Sequence, residues 1–442
     1  MPGRTGHLTL LSVTVLGTMC NNIVNVPLRS IATDLRIPLP AAVLCVSAFV
    51  LALAIGMPVS GWLGDRFGQK KALTGALVLM TAAQALAVVA PNLTTLVALR
   101  ALQGLACSAI PPMVMSLLRT LYPERRLAVM GTWAAANGIG QAIGPPAGGL
   151  ISDAWGWRMI FALLAAACVV VLALMWLFVP SAPHRSGPLD LRGAALLTGG
   201  AGLVLVAVTT LGQRAGSPAS WIAEAVAGVL LFLGYVAVSR GQGAAMIPLS
   251  VLVESRFARS TAAAFGQMFC LGTLLVALPL FLTGPLHMSS GLAGILFFAL
   301  PAVMAVAAPV VSRLSLAIGP RRVLRAGLAV LVAGNVVICL VLGQGATPAV
   351  AVMLTAMMLV LGFGMAMVQT PAAAGATSSP AGSNGAAIGL FNMLRFSGTA
   401  TAAAWVALVY PAGSLTLLFG GCVALAALAL AASYLGPDPT PT

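Results

Sequence analysis

Long apolar runs alternate with short polar breaks along almost the whole chain. A helix needs about 20 mostly apolar residues to cross about 30 Å of hydrocarbon. Fourteen such runs are present, at 8–28, 41–62, 72–90, 94–117, 127–151, 159–180, 194–213, 220–239, 260–282, 290–311, 324–343, 348–370, 386–409 and 413–435. They account for nearly every residue, so the pattern predicts an all-α polytopic membrane protein without a large soluble domain.

The composition agrees with this prediction and excludes several other classes of protein. Of the 442 residues, 60% are hydrophobic and 7% are charged, against roughly 25% charged in a soluble domain. A soluble enzyme, a disordered chain and a nucleic-acid binder are therefore excluded. No G-x-x-x-x-G-K-[ST] loop is present, which argues against ATP-driven transport within this chain. The seven cysteines fall inside predicted spans without a C-x-x-C pair, so neither a disulfide framework nor a metal site is expected.

The basic residues predict an orientation. Lys and Arg number 22 against 8 Asp and Glu, a net charge of +14. With the N-terminus inside, sixteen of the 22 fall in cytoplasmic loops, four fall outside, and Arg100 and Arg395 lie within helices. Because cytoplasmic loops are enriched in Lys and Arg, both termini are predicted to be cytoplasmic. This orientation also requires an even number of helices in 194–239.

An internal repeat divides the chain. The segment 61–73 aligns without gaps on 312–324, and each copy joins the second and third helices of a six-helix unit. We therefore expect two six-helix bundles, 1–180 and 259–442, with two additional helices in the linker 181–258. Parallel repeats of this kind are a transporter architecture in which the substrate path lies between the halves.

Five motifs resemble those of a known family. The segment 61–71, G-W-L-G-D-R-F-G-Q-K-K, resembles the hallmark loop of the major facilitator superfamily, and L-R-A-L-Q-G at 99–104 resembles the helix 4 motif of its proton-coupled members. G-Q-A-I-G-P-P-A-G-G at 140–149 resembles the helix 5 motif of exporters. W-R-M-I-F at 157–161 and I-V-N-V at 23–26 are similar to signatures of the fourteen-span drug:proton antiporters.

The resemblance implies a fold and an activity. It implies the major facilitator fold and proton-coupled efflux of drugs, antibiotics or similar amphiphilic small molecules by alternating access. It further implies no cofactor beyond a proton gradient and a location in a bacterial plasma membrane. Because both repeats are present in one chain, we expect the protein to function as a monomer in the lipid bilayer.

In the family, the loop between helices 2 and 3 latches the two halves on the cytoplasmic side. Asp65 can accept hydrogen bonds at a neighbouring helix N-terminus, and Arg66 can bridge to a carboxylate. An orientation signal made of positive charge is the simpler interpretation of Lys70 and Lys71. The predicted latch comprises Gly61, Asp65, Arg66, Gly68, Lys70, Arg321 and Arg322.

The predicted helix 5 carries glycines at every fourth position, which places them on one face. Such faces let two helices approach closely, and two adjacent prolines remove amide donors and bend the helix. A bent interface helix suits a rocking motion, although plain membrane packing would produce the same pattern. The motif comprises Gly140, Gly144, Pro145, Gly148 and Gly149.

Two arginines lie within predicted spans and are functional-site candidates, because a charged side chain in a membrane is costly. Arg100 is about six residues into helix 4, roughly 9 Å deep. Either arginine could instead extend to the membrane surface. The candidate translocation and coupling residues are Arg100, Gln103, Asn21, Asn22, Asn25, Asn137, Gln141, Arg395 and Asn392.

Acidic residues are scarce in the predicted spans. Fourteen-span antiporters usually carry an acid in helix 1, where this chain has Cys20. A lipophilic cation needs a carboxylate partner in a low-dielectric cavity, so we expect a neutral or anionic substrate. The possible proton carriers are Asp34, Asp153 and Glu224, and proton coupling itself depends on the resemblance.

Two alternatives remain open from the residues alone. One is export or uptake of a defined metabolite without proton coupling. The other is a membrane-embedded enzyme or receptor, which the sequence disfavours because its three histidines lie far apart and form no catalytic or metal-binding constellation.

Overall fold

The computed structural model describes residues 4–181, 190–212, 217–241, 245–283, 290–342 and 347–436. Within these ranges the chain forms fourteen long helices, the fourth in two consecutive pieces. They are α1 Arg4–Asn22, α2 Leu44–Phe67, α3 Gln69–Val88, α4 Leu93–Cys107 and Ile110–Leu121, α5 Arg126–Trp155, α6 Trp157–Phe178, α7 Leu191–Gly212, α8 Pro218–Gly241, α9 Ser255–Thr283, α10 Ser290–Ile318, α11 Pro320–Leu342, α12 Pro348–Ser378, α13 Gly385–Val409 and α14 Leu415–Ala432. A long helix is thus present at every position where the hydropathy pattern predicts a span.

In the described part of the chain, twelve helices are long and apolar enough to cross a membrane. The two long helices outside this set are α5 and α13. Their hydropathy is lower because α5 carries Asn137 and Gln141, and α13 carries Asn392 and Arg395. The all-α architecture is confirmed, and fourteen crossings stay a prediction.

The first six and last six helices pack in the same pattern. In the first bundle, α1–α6, α2 packs on α4, α1 on α5 and α3 on α6. In the second bundle, α9–α14, the corresponding pairs are α10 on α12, α9 on α13 and α11 on α14. The repeat visible in the loops therefore extends to the packing of the helices.

A glycine with a left-handed backbone marks the repeated turn in both bundles. Gly68 joins α2 to α3 with φ of 90°, and Gly319 joins α10 to α11 with φ of 94°. A side chain disfavours this conformation, which explains why the aligned loops share this glycine.

The additional helices α7 and α8 pack on each other, and α7 also contacts α2 and α13. The end at which α7 begins and α8 finishes is held by hydrogen bonds. Asp190 accepts from the amides of Gly193 at 2.7 Å and Met246 at 2.9 Å. The hydroxyl of Tyr235 donates to the carbonyl of Ile247 at 2.7 Å. The inserted pair is therefore anchored at this end and lies beside one seam between the bundles.

Two seams join the bundles, one between α2 and α13 and the other between α5 and α10. They are tight near the face at which α1 begins, here called the N face. A Cβ at Gly61 would overlap the carbonyl oxygen of Gly385, so only glycine allows this approach. At the other seam, the hydroxyl of Ser312, the residue aligned with Gly61, donates to the carbonyl of Leu127 at 3.0 Å. The bundles are therefore in close contact near the N face.

Candidate functional site

A charged clamp closes the seam between α2 and α13. Asp65, near the end of α2, accepts a hydrogen bond from the amide of Gly385 at 2.6 Å. Arg119, near the end of α4, donates to the carbonyl of Gly382. Asp65 lies at the positive end of the α13 helix dipole, where a carboxylate is favourable. The first bundle thus holds the turn that begins α13 of the second bundle with one anion and one cation, and we call this arrangement the N-face clamp.

The sequence did not single out Arg119 as part of the clamp. It counted this residue only among the cytoplasmic cations, since no motif includes it. Its position in the last turn of its helix was the available signal, because a long cation there can reach across a helix end. The half-buried Arg66 lies one residue beyond Asp65 on the same helix.

The other predicted latch cations lie elsewhere. Lys70 donates to the carbonyl of Trp176 at 3.2 Å, near the end of α6. Arg321 donates to the carbonyl of Ser433 at 2.9 Å, just after α14. Arg322 is exposed. Contrary to the prediction, the described contacts of Lys70 and Arg321 lie within their own bundles, because each caps the sixth helix of its bundle, where the dipole favours a cation.

Arg100 is fully buried and does not extend to the membrane surface. Its guanidinium donates to the carbonyl of Cys45 on α2 at 3.2 Å, to the carbonyl of Cys20 on α1 at 3.2 Å, and to Gln103 Oε1 at 3.0 Å. It also lies 4.2 Å from the ring centroid of Phe49. Arg100 therefore joins three helices of the first bundle through acceptors that the protein supplies.

Gln103 extends this network, since its amide nitrogen donates to the carbonyl of Ala83 on α3 at 3.1 Å. A buried residue that the sequence had not singled out, Gln84, donates to the Cys20 sulfur at 3.4 Å. The helix 4 motif thus forms a polar crosslink of α1, α2, α3 and α4.

Arg395 has a different environment although it is buried to the same degree, with 1% of its surface exposed. Within the described residues, none of its three guanidinium nitrogens has a hydrogen-bond partner. The guanidinium carbon lies 5.2 Å from the ring centroid of Trp133 on α5 and 5.1 Å from that of Phe396. Trp133 belongs to the first bundle and Arg395 to the second, so this cation is in contact with both.

Asn392, one turn before Arg395, is also buried and connects two bundles. Its amide nitrogen donates to the sulfur of Met115 on α4 at 3.3 Å, and its Oδ1 has no partner in the described part of the molecule. On α5, Asn137 accepts from the Thr18 hydroxyl at 3.3 Å. Asn392 thus lies one turn from Arg395 on α13, and Asn137 lies against α1.

The remaining candidate amides are less enclosed. Asn21, Asn22 and Gln141 are half-buried, and Asn25 is exposed in the 3-10 turn Ile23–Asn25 after α1. Asn22 donates to the carbonyl of Thr18 at 3.2 Å, within its own helix. No hydrogen bond between described residues joins these four side chains to Arg395.

The glycine face of α5 packs inside the first bundle. A Cβ at Gly140 would meet the carbonyl of Val15, one at Gly144 would contact Asn22, and one at Gly148 would overlap the carbonyl of Ile23. These three neighbours are on α1 or in the 3-10 turn that follows it. Two other motif residues, Pro145 and Gly149, are half-buried in the same helix, which continues without a break.

The seam with α10 uses two other glycines of α5, which the motif does not include. A Cβ at Gly131 would contact Ser312, and one at Gly138 would contact Ala305. The glycines of the motif that have neighbours on α1 therefore do not form the seam with the second bundle in this conformation. The close-packed face exists, and its partner is α1.

None of the three carboxyls suggested as proton carriers lies between the bundles. Asp34 is paired with Arg158 at the face opposite the clamp and accepts from Trp157 Nε1 at 3.2 Å. Hydrogen bonding to Arg158 lowers the pKa of Asp34. Asp153 is exposed, and Glu224 accepts from the Thr210 hydroxyl at 3.1 Å within the α7–α8 pair. These positions disfavour all three as carriers along a central path.

Comparisons with known proteins agree with this architecture. The sequence model of the Major Facilitator Superfamily matches residues 10–403 and 260–442. The chain is 31% identical over 266 residues to the probable actinorhodin transporter of Streptomyces coelicolor, covering 58% of this chain and 46% of that protein. It is 26% identical over 318 residues to the multidrug resistance protein Stp of Mycobacterium tuberculosis, covering 71% of this chain and 59% of Stp. The matched regions thus span about half the length of these relatives.

A solved structure gives the same result for the fold. The human organic anion transporter MFSD10 (TETRAN) superposes with a TM-score of 0.71, covering 98% of this chain and 100% of that chain at 17% identity. At this identity the likeness shows the fold alone. Together with the matched packing of the two bundles, these findings show that the chain is a multi-pass membrane protein that belongs to the major facilitator superfamily.

Proposed function

We propose that the protein is a secondary active exporter of amphiphilic small molecules, including drugs or antibiotics, that works by alternating access. The N-face clamp is the observation that carries this proposal. It joins the two bundles through Asp65 and Arg119 at a single turn of the second bundle. Contacts of this kind are few enough to open, and opening them would separate the bundles at the N face while the opposite face closes.

The distribution of basic residues supports an orientation in which the N face is cytoplasmic. In that orientation the clamp closes the transporter toward the cytoplasm. Loading of an exported compound then requires the clamp to open, and release occurs after it has closed again. We further propose a bacterial plasma membrane as the location. We also propose that the protein works as a monomer, since both bundles are present in one chain.

A proton gradient is the energy source that the resemblance implies. The bundle interface does not contain the three carboxyls suggested as proton carriers, those of Asp34, Asp153 and Glu224. The residue that would carry the proton therefore has to be found by experiment. Candidates for substitution are carboxyls at the bundle interface, of which Asp65 is the one in contact with both bundles among the described residues.

A second candidate for the energy source is the membrane potential itself. The potential favours movement of an anion out of a negatively charged interior by about 2.3 kcal/mol per 100 mV. The two buried spanning cations, Arg100 and Arg395, favour this candidate if the substrate is an anion. Export would then require no titrating carboxyl on the path.

Two experiments test the proposal. First, a growth-inhibition panel in an efflux-deficient bacterial host compares neutral, anionic and cationic compounds with and without the protein. We expect protection against neutral or anionic amphiphiles, and protection against cationic dyes alone would refute the predicted selectivity. Second, proteoliposomes with an imposed pH gradient or an imposed potential separate the two energy sources. A protein that moves no compound under either gradient would refute export.

A further inference from the structure

Arg395 is a buried cation without a counter-charge in the part of the chain that the structure describes. Its three guanidinium nitrogens lack hydrogen-bond partners among the described residues. A buried ion without a partner costs several kcal/mol. Aromatic rings recover part of this cost, because the ring faces of Trp133 and Phe396 lie near the guanidinium. They offer no acceptor for its N–H groups, so the donors remain available.

The described carboxyls have other places and cannot serve Arg395. Asp190 and Glu254 accept from backbone amides at the starts of α7 and α9. Asp65 is in the N-face clamp, Asp34 is paired with Arg158, and Glu224 lies in the α7–α8 pair. The remaining two described carboxyls, those of Glu124 and Asp153, are exposed. Because no described side chain neutralises Arg395, its partner has to come from outside the described protein.

The neighbours of Arg395 add to an excess of donors. Trp133 is buried, with 1% of its surface exposed, and its indole N–H has no partner in the described molecule. Among the described residues, Arg395 and Trp133 therefore present three guanidinium nitrogens and one indole nitrogen without acceptors, and one turn earlier on α13 the Oδ1 of Asn392 has no donor. Donor-rich groups around a cation select an anion, and a guanidinium pairs with a planar carboxylate through two parallel hydrogen bonds.

Comparison with Arg100 shows that the lack of described hydrogen-bond acceptors around Arg395 is unusual. Arg100 is buried equally, but it donates to two carbonyls and one side-chain amide of the protein. These three hydrogen bonds hold helices together without a ligand, and its Nη2 is the one guanidinium nitrogen that lacks a partner among the described residues. Arg395 makes no such bonds, and it reaches from the second bundle to an aromatic ring of the first.

We propose that Arg395 and Trp133 form a binding site for the carboxylate of an amphiphilic organic anion, whose apolar part lies against the Trp133 and Phe396 rings. This inference rests on the proposed export function and assigns the substrate class to one site. A bound carboxylate would neutralise the buried cation and connect α5 of one bundle to α13 of the other. Binding would thereby stabilise a state in which both bundles enclose the substrate.

The test measures binding to the full-length protein in lipid nanodiscs by equilibrium dialysis. The probes are 2-naphthoate and 2-naphthamide, which have the same ring and differ in charge. We expect the unmodified protein to bind naphthoate about ten- to a hundredfold more tightly than naphthamide, the range expected for charge-assisted hydrogen bonds. Arg395→Met should remove this preference, and the affinity for naphthamide should change by less than about twofold.

Two further variants separate recognition from packing. Arg395→Lys keeps the charge and should retain part of the preference for naphthoate, which a packing role would not predict. Trp133→Phe keeps a ring, removes one donor and should weaken naphthoate binding selectively. The matched control is Arg29→Met, which removes an exposed cation at the end of the molecule opposite the clamp and should leave both affinities unchanged.

The outcomes are distinct. Equal affinity for the two probes in the unmodified protein would overturn the inference, as would unchanged naphthoate binding in Arg395→Met. If Arg395→Met does not fold, the Arg395→Lys and Trp133→Phe variants test the proposal instead. A protein that exports neutral compounds without a preference for naphthoate would refute the site but not the exporter. Arg395-dependent naphthoate binding without any transport would refute export but not the site.

Discussion

The N-face clamp gives the sharpest prediction about conformation. Asp65→Asn removes the negative charge that faces the start of α13 but keeps a side chain of the same size. The carboxylate accepts a 2.6 Å hydrogen bond from Gly385. A hydrogen bond to a charged group contributes about 1.5–3 kcal/mol, and a neutral acceptor retains part of it. We therefore expect the closed N face to lose about 1–2 kcal/mol, which changes the ratio of closed to open molecules by roughly five- to thirtyfold.

Pulsed electron–electron spin resonance can measure this change. Lys71 and Arg322 are aligned in the repeat, exposed on the two bundles, and suitable for substitution by labelled cysteines. Six of the seven native cysteines are buried and Cys339 is half-buried, so labelling should favour the introduced sites. In the Asp65→Asn variant, we expect a larger population at the longer label-to-label distance.

The repeat supplies a matched control. Leu316 occupies the position that aligns with Asp65 and is 66% exposed. Leu316→Asn introduces the same side chain outside the clamp and should leave the distance distribution unchanged. An unchanged distribution in Asp65→Asn, or a shift toward the shorter distance, would contradict the role of the clamp in closing the N face.

Three more predictions concern stability. Hydrogen bonding to Arg158 lowers the pKa of Asp34, so the pair stabilises the fold above the usual aspartate pKa of about 3.9, and this stabilisation is lost as the pH falls through the lowered pKa. The difference in thermal midpoint between the wild type and Asp34→Asn should therefore disappear in acid. The Asp34→Asn variant should still transport. Gly148→Ala should destabilise the protein by about 1–3 kcal/mol in a detergent thermal-shift assay, whereas Gly75→Ala, which meets no neighbouring atom, should not. Arg100→Met should cost about 1–3 kcal/mol, because it leaves buried neutral acceptors without a donor, and an unchanged midpoint would contradict its crosslinking role.

Much of the fold could be predicted because it depends on local pattern. The position of each long helix follows from hydropathy, because the apolar interior of the membrane constrains each residue of a span separately. The repeated turn could be found from Gly68 and Gly319, since a left-handed backbone restricts the residue at that position. The matched packing of the two bundles then follows from the repeat.

The partners of the charged residues could not be predicted. Sequence placed Lys70 and Arg321 with Asp65, although each binds carbonyls in its own bundle. It grouped Arg100 with Arg395, although one has protein acceptors and the other has none among the described residues. The direction in which a long side chain extends depends on which helix is packed beside it, and that information is not local.

The sequence by itself determined that this chain is a helical membrane protein with two related halves, because burial in lipid constrains every residue of every span. Only the tertiary structure decided which buried cations have hydrogen-bond acceptors. A hydrogen bond needs its acceptor within about 3 Å, and two of the three acceptors of Arg100 lie on helices that are 55 and 80 residues away in the chain. The absence of such acceptors around Arg395 in the described structure is equally a property of the packed bundles.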